Sequence, residues 1–176
     1  RALAAADSQR LAAVIERNVA PLTPALHALG GPYGAIAFER LLGGTFLALD
    51  AYASADDHLR RAYALALLAD AKDDAAASAI SRGEIAILTG HYDRVERLSN
   101  DLVQLATRAD LPWAQAKAEE YLGVVARRRG RLDDAQAHAQ RALAVQRALG
   151  QEAGTATALS NMGTRVRDRG DYATAL

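Results

Sequence analysis

Gly123-Val-Val-Ala-Arg-Arg-Arg-Gly-Arg-Leu-Asp-Asp-Ala-Gln-Ala-His-Ala-Gln-Arg-Ala142 is the stretch whose reading decides the fold. Its small and apolar residues recur at an interval of 40. Gly123 is matched by Gly43, Gly83 and Gly163, and Gly130 by Gly90 and Gly170, with Asp50 in the first copy. Leu132 answers to Tyr52, Tyr92 and Tyr172, and Ala135 to Ala55, Val95 and Ala175. A register kept without insertion predicts a tandem array, in which each unit buries its apolar surface against its neighbours.

Working outward, the array divides into a degenerate half-repeat over 1–30, full repeats over 31–70, 71–110 and 111–150, and a truncated repeat over 151–176. The start at Arg1 and the stop partway through a repeat lead us to expect a fragment of a longer protein. Each repeat reads as two helices of roughly 15–18 residues, or about 22–27 Å apiece. The first helices are expected over 32–49, 73–88, 112–129 and 151–169, and the second over 52–70, 92–108 and 132–149, with another beginning at Asp171. In the half-repeat, Leu11, Val14, Ile15, Val19, Leu22, Leu26 and Leu29 fall at steps of three and four and predict one apolar face. Pro21 and Pro24 predict a break near Ala20, and Gly30-Gly31-Pro32 a turn. Within a pair, Gly43, Gly83, Gly123 and Gly163 are expected to face Ala55, Val95, Ala135 and Ala175, so that the backbones cross closely. Arg82, where other copies have Leu42, Leu122 and Met162, makes the second copy the least regular.

Composition agrees with this reading. Hydrophobic residues make up 51% and aromatics 5%, a balance that favours closely packed helices over sheet. Lysine plus arginine equals aspartate plus glutamate at 21 each, so the usual electrostatic source of direct nucleic acid binding is absent. Without cysteine there is neither a disulfide framework nor a thiolate metal site, which is compatible with a reducing, cytoplasmic setting. No apolar run approaches the roughly 20 residues of a membrane span, so no membrane role is expected.

The pattern Leu122-Gly123, Gly130-Arg131-Leu132-Asp133-Asp134-Ala135, Ala142-Leu143, repeated as Met162-Gly163, Gly170-Asp171-Tyr172, Ala175, resembles the tetratricopeptide repeat. The resemblance implies an all-α fold, a right-handed superhelix or α-solenoid of antiparallel helix pairs. It departs from the common repeat in length, 40 residues against 34. Longer repeats of this kind are similar to those of kinesin light chains, peptide-responsive Gram-positive regulators, and the sensor regions of large bacterial transcription activators. The segment 142–150 leading into 158–163 most resembles the last group. Armadillo and HEAT arrays share the period, but the small-on-small crossing with a glycine turn seven residues later favours tetratricopeptide packing.

The resemblance also implies a concave groove lined by the first helix of each pair. Carried over by position, its wall comprises Arg40 and Leu47, then Glu84 and Ile87, then Lys117, Glu120, Arg127 and Arg128, and finally Ser160, Thr164 and Arg167. That wall is apolar at one end and charged at the other, which suits a peptide, protein segment or small ligand with an apolar part and an anionic group. Arg127 and Arg167, equivalent in adjacent copies, are candidates for gripping one anion. No catalytic or metal-binding spacing emerges: His27, His58, His91 and His138 are scattered, and the acidic pairs sit near helix starts, where the dipole favours them. The expectation is a non-enzymatic module without cofactor, a sensor region of a bacterial transcriptional regulator or, alternatively, a passive protein–protein scaffold. Self-association through the uncovered last half-repeat is also expected.

Overall fold

Alanine-rich segments separated by turn residues fold here as successive helices. The computed structural model describes residues 2–150, with side chains from residue 6 onward. Among them are seven α-helices: α1 (Ala2–Val19), α2 (Thr23–Ala48), α3 (Tyr52–Leu68), α4 (Lys72–Leu88), α5 (Tyr92–Ala109), α6 (Pro112–Arg128) and α7 (Leu132–Ala148). From α3 onward each helix begins twenty residues after the last. Gly163, Ala175, Ser160, Thr164 and Arg167 lie outside the described residues.

The regular spacing has a local cause. Asp50, Asp70, Asp110, Gly90, Gly130 and Gly150 all have positive φ, two residues past the helix end, or one in the case of Asp110. The left-handed residue turns the chain so that the next amide reaches back into the helix it leaves: Ala51 N–H donates to Phe46 O, Ala71 to Ala66, Leu111 to Ala106 and Arg131 to Ala126, each at 2.9 Å. This motif satisfies carbonyls that a helix end otherwise leaves unpaired. Aspartate serves at three of the six positions because its short polar side chain tolerates the left-handed region better than most.

The chain forms two units, 1–89 and 90–176. In the first, α2 packs on α3 and α3 on α4. Its core joins Ala12 of α1 to Leu42, Phe46, Ala55, Leu59 and Ile85, with Ile15, Val19 and Tyr52 against it. The predicted break after α1 is a 3₁₀ turn over Ala20–Leu22. The predicted turn at Gly30-Gly31-Pro32 is a kink inside α2, where Gly31 adopts φ 60°, ψ −167°, a conformation open essentially to glycine alone. Of the expected apolar face of the half-repeat, Ile15 and Val19 pack against the core. Leu11, Val14, Leu22, Leu26 and Leu29 are exposed, and Ala12 is the buried position. Nor does Arg82 merely interrupt a seam, since its Nε donates to Asp56 Oδ1 of α3 at 3.1 Å, with both side chains largely buried.

In the second unit α6 packs against both α5 and α7. A Cβ built on Gly123 would meet His138 Cβ at 3.5 Å and Ala135 O at 3.6 Å, ordinary contact distances. At Gly43 the same construction falls 2.5 Å from Leu59 Cγ and 3.4 Å from Ala55 O. The two crossings therefore differ in tightness. Gly123→Ala is expected to stabilise the chain by up to about 1 kcal/mol, the helical preference of alanine over glycine. A lowered urea midpoint for that variant would show that α6 and α7 have no room for a methyl group.

Candidate functional site

The groove positions inferred from the repeat fall in both units. In the first, Arg40 is exposed and paired with Asp74 of α4, and Leu47 is half-buried against the core. Glu84 is exposed and Ile87 half-buried on α4. In the second, Lys117 Nζ donates to Glu120 Oε2 at 2.7 Å and lies 5.6 Å from the centroid of the Tyr121 ring. Glu120 also accepts from Gln146 of α7. Arg127 is half-buried with no carboxylate partner among the described residues, and Arg128 is exposed. Among the described residues, no group of three or more histidine, aspartate or glutamate side chains could hold a metal ion.

Two clusters join residues that the sequence reading kept apart. Glu39 is fully buried, and its Oε2 lies 2.7 Å from His58 Nδ1 and 3.1 Å from Arg61 Nε. Eighty residues on, Glu119 Oε2 lies 2.7 Å from His138 Nδ1 and 2.8 Å from Arg141 Nε. In both clusters an arginine Nη2 also approaches the same histidine Nδ1, at 2.9 and 2.6 Å. Arginine only donates and an ionised carboxylate only accepts, so Nδ1 either donates to the glutamate or accepts from the arginine, while the arginine Nε donates to the same glutamate oxygen. Position 79 is alanine, 98 leucine and 101 aspartate, so the intervening copy has no such cluster.

The first cluster is the more elaborate. His58 stacks on Phe46 with ring centroids 5.2 Å apart, and Glu16 Oε2 of α1 stands 3.5 Å from His58 Nε2. His27 Nε2 lies 3.0 Å from Glu39 Oε1, without hydrogen-bond alignment. Burial pushes the Glu39 carboxyl up, but the His58 hydrogen bond and the charges of Arg61, His58 and His27 together outweigh it and hold the group below its ordinary range. These clusters tie the members of a helix pair together, α2 to α3 and α6 to α7.

Among the described residues, each unit contains a hollow. In the first, a pocket of about 560 Å³ opens beside the α2 kink, bounded by His27, Gly31, Pro32, Leu65 and Leu68 and mostly apolar. In the second, a pocket of about 670 Å³ lies between the start of α5 and the end of α6, lined by Tyr92, Asp93, Arg94, Arg97, Arg128 and Arg129 together with Gly90 and His91. Of these, only Arg128 was among the groove positions. The signal that would have found the rest is the crowding of four arginines into 127–131, with Arg94 and Arg97 on the preceding helix, where other copies have few. Both volumes are in the range of small-ligand pockets.

Helix pairs that cross through small residues define the class: an all-α repeat protein of the solenoid type. Residues 114–176 match the family model described as tetratricopeptide repeat. The fold is similar to that of the apo form of RapI, at 11% identity and a TM-score of 0.72, over 80% of this chain and 39% of RapI. The chain thus spans about two fifths of RapI's length. It is also similar to BtubC (BKLC) from P. vanneervenii, at 18% identity and a TM-score of 0.70, over 99% of this chain and 83% of that one. No curated protein sequence matches. The family match thus covers the last third or so of the chain, and the likeness to the two solved structures shows the same helical-repeat fold.

Proposed function

We propose that this chain is a non-enzymatic interaction module that binds a peptide, protein segment or small ligand along the first helices of its pairs. The finer reading is a sensor region of a bacterial transcriptional regulator, occupancy being passed to another domain of the parent protein. The observation that carries the binding role is Arg127, half-buried without a described carboxylate partner on α6, the helix that also carries Lys117 and Glu120. Neutral packing here is done by alanine and glycine, and Arg127 is not needed for it. A guanidinium held part-buried and without a carboxylate is disposed to accept one from a ligand. The sensor reading adds that hairpins in series can change pitch through small rotations at each interface. The resemblance to long-repeat sensor regions supports it.

The test uses fluorescence polarisation with a panel of peptides that combine an apolar segment with a free C-terminal carboxylate. Arg127→Ala is expected to leave the far-UV circular dichroism and melting point unchanged and to weaken the best peptide about tenfold, the loss of one charge-assisted contact of roughly 1.5 kcal/mol. Equal affinity for variant and parent would remove Arg127 from the site. X-ray scattering with and without that peptide separates the two regulatory readings: a changed profile fits a sensor, and an unchanged one fits a passive scaffold.

A further inference from the structure

Four arginines and a histidine gather around the pocket between α5 and α6. Arg128 and Arg129, at the C-terminal end of α6, are where the helix dipole favours cations. Arg94 and Arg97 are the opposite case. They sit in the first two turns of α5, where the dipole disfavours positive charge. The equivalent positions show what packing alone requires: Ser54 and Asp57 on α3, Asp134 and Ala137 on α7. Leu88 and Thr89 stand where α6 has Arg128 and Arg129. The helices repeat, and the positive charge is concentrated at one place.

The carboxylates nearby are already engaged. Arg129 takes both Asp93, at 2.5 Å, and Glu96, at 2.8 Å, and Glu96 also lies 3.6 Å from Arg131. Arg97 and Arg128 have no carboxylate partner among the described residues, and Arg128 rests instead over the Tyr92 ring at 5.6 Å. The pocket they line is large enough for a phosphorylated side chain or a small phosphorylated molecule. Two guanidinia without carboxylates match the charge of one phosphate monoester, about −1.5 to −2 at neutral pH. Donors arriving from two helices suit a tetrahedral group with three terminal oxygens better than a planar carboxylate, which a single arginine fork satisfies.

We propose that this pocket is a binding site for a phosphate monoester, gripped by Arg97 of α5 and Arg128 of α6. It is separate from the groove contact assigned to Arg127, and either can fail without the other. The ligand's phosphate belongs to a phosphorylated protein segment or to a small phosphorylated molecule, which the experiment distinguishes.

Calorimetric titration of the full chain at low salt would use four probes: a terminally capped peptide with one phosphoserine, its unphosphorylated counterpart, O-phosphoserine, and inorganic phosphate. The phosphopeptide is expected to bind, and the unphosphorylated peptide not to. The double variant R97A/R128A should lose at least tenfold in affinity with unchanged melting, because both side chains are on the surface, whereas Arg127→Ala should change it by less than twofold. Phosphopeptide binding tighter than O-phosphoserine supports a protein segment as the source. Equal affinities support a small molecule. The proposal is overturned if no phosphorylated probe binds or if the double variant binds as well as the parent.

Discussion

Replacing Glu39 by alanine is expected to destabilise the chain by about 3–5 kcal/mol, the loss found when one partner of a buried ionic cluster is removed. Glu39 is fully buried, and three cationic or cation-forming groups converge on it: His27, His58 and Arg61. Without the carboxylate, His58 and Arg61 are left facing each other beside Phe46 with no negative charge between them. The equivalent change at Glu119 should have a smaller effect, about 1–2 kcal/mol, because its side chain is 11% exposed and Arg141 is more than half exposed. The order of the two urea midpoints is the check, and equal losses would mean that burial does not set the cost. The pH response follows from the same group. Its folded pKa is lowered from 4.5, so its stabilisation is fully present above that value and is lost as pH falls through the lowered folded value. Acid unfolding of Glu39→Gln should accordingly be shallower than that of the parent in that window. An identical acid profile would mean that the carboxyl is not held ionised.

Gly43→Leu is the second large effect, expected at about 3 kcal/mol from overpacking. The Cβ alone would fall 2.5 Å from Leu59 Cγ, and Leu59 is itself buried beside Phe46 and Ala55 in the core. It has no free space to swing into, so α2 and α3 must separate. That separation also lengthens the contacts from Glu39 to His58 and Arg61, so the effects of Gly43→Leu and Glu39→Ala should combine non-additively. Gly123→Leu should be milder by comparison, because the α6–α7 crossing has ordinary contact distances. A midpoint for Gly43→Leu within about 0.5 kcal/mol of the parent, the scale of an unremarkable surface change, would refute the tight crossing.

Much of the helix layout was legible because it rests on local chemistry. Prolines at 21 and 24 and the Gly30-Gly31-Pro32 turn announce interruptions that the backbone makes within a few residues. The left-handed aspartates at 70 and 110 were less visible, since a stop signal is easier to read in glycine than in a residue common on helix surfaces. The predicted apolar face of the half-repeat is buried only in part, through Ile15 and Val19, for a reason of size. Counting large apolar residues selected Leu11 and Val14, whereas helices packed this closely bury alanine, here Ala12. The ionic clusters escaped because their members lie 19 and 22 residues apart across a turn and are ordinary surface types taken singly. Only the recurrence of glutamate, histidine and arginine at 39, 58, 61 and again at 119, 138, 141 betrays them. The arginine pocket is built from two helices, and a reading confined to one wall saw a single member.

The even placement of left-handed residues, from Asp50 through Gly150, makes the chain intolerant of small changes in length. Deleting one residue inside α6 would turn every later side chain of that helix by about 100° about its axis. Arg128 and Arg129 would leave the rim they share with α5. Such a protein can lengthen or shorten over generations only by whole helix-and-turn segments, so the counting frame, more than any single contact, is what its descendants must inherit.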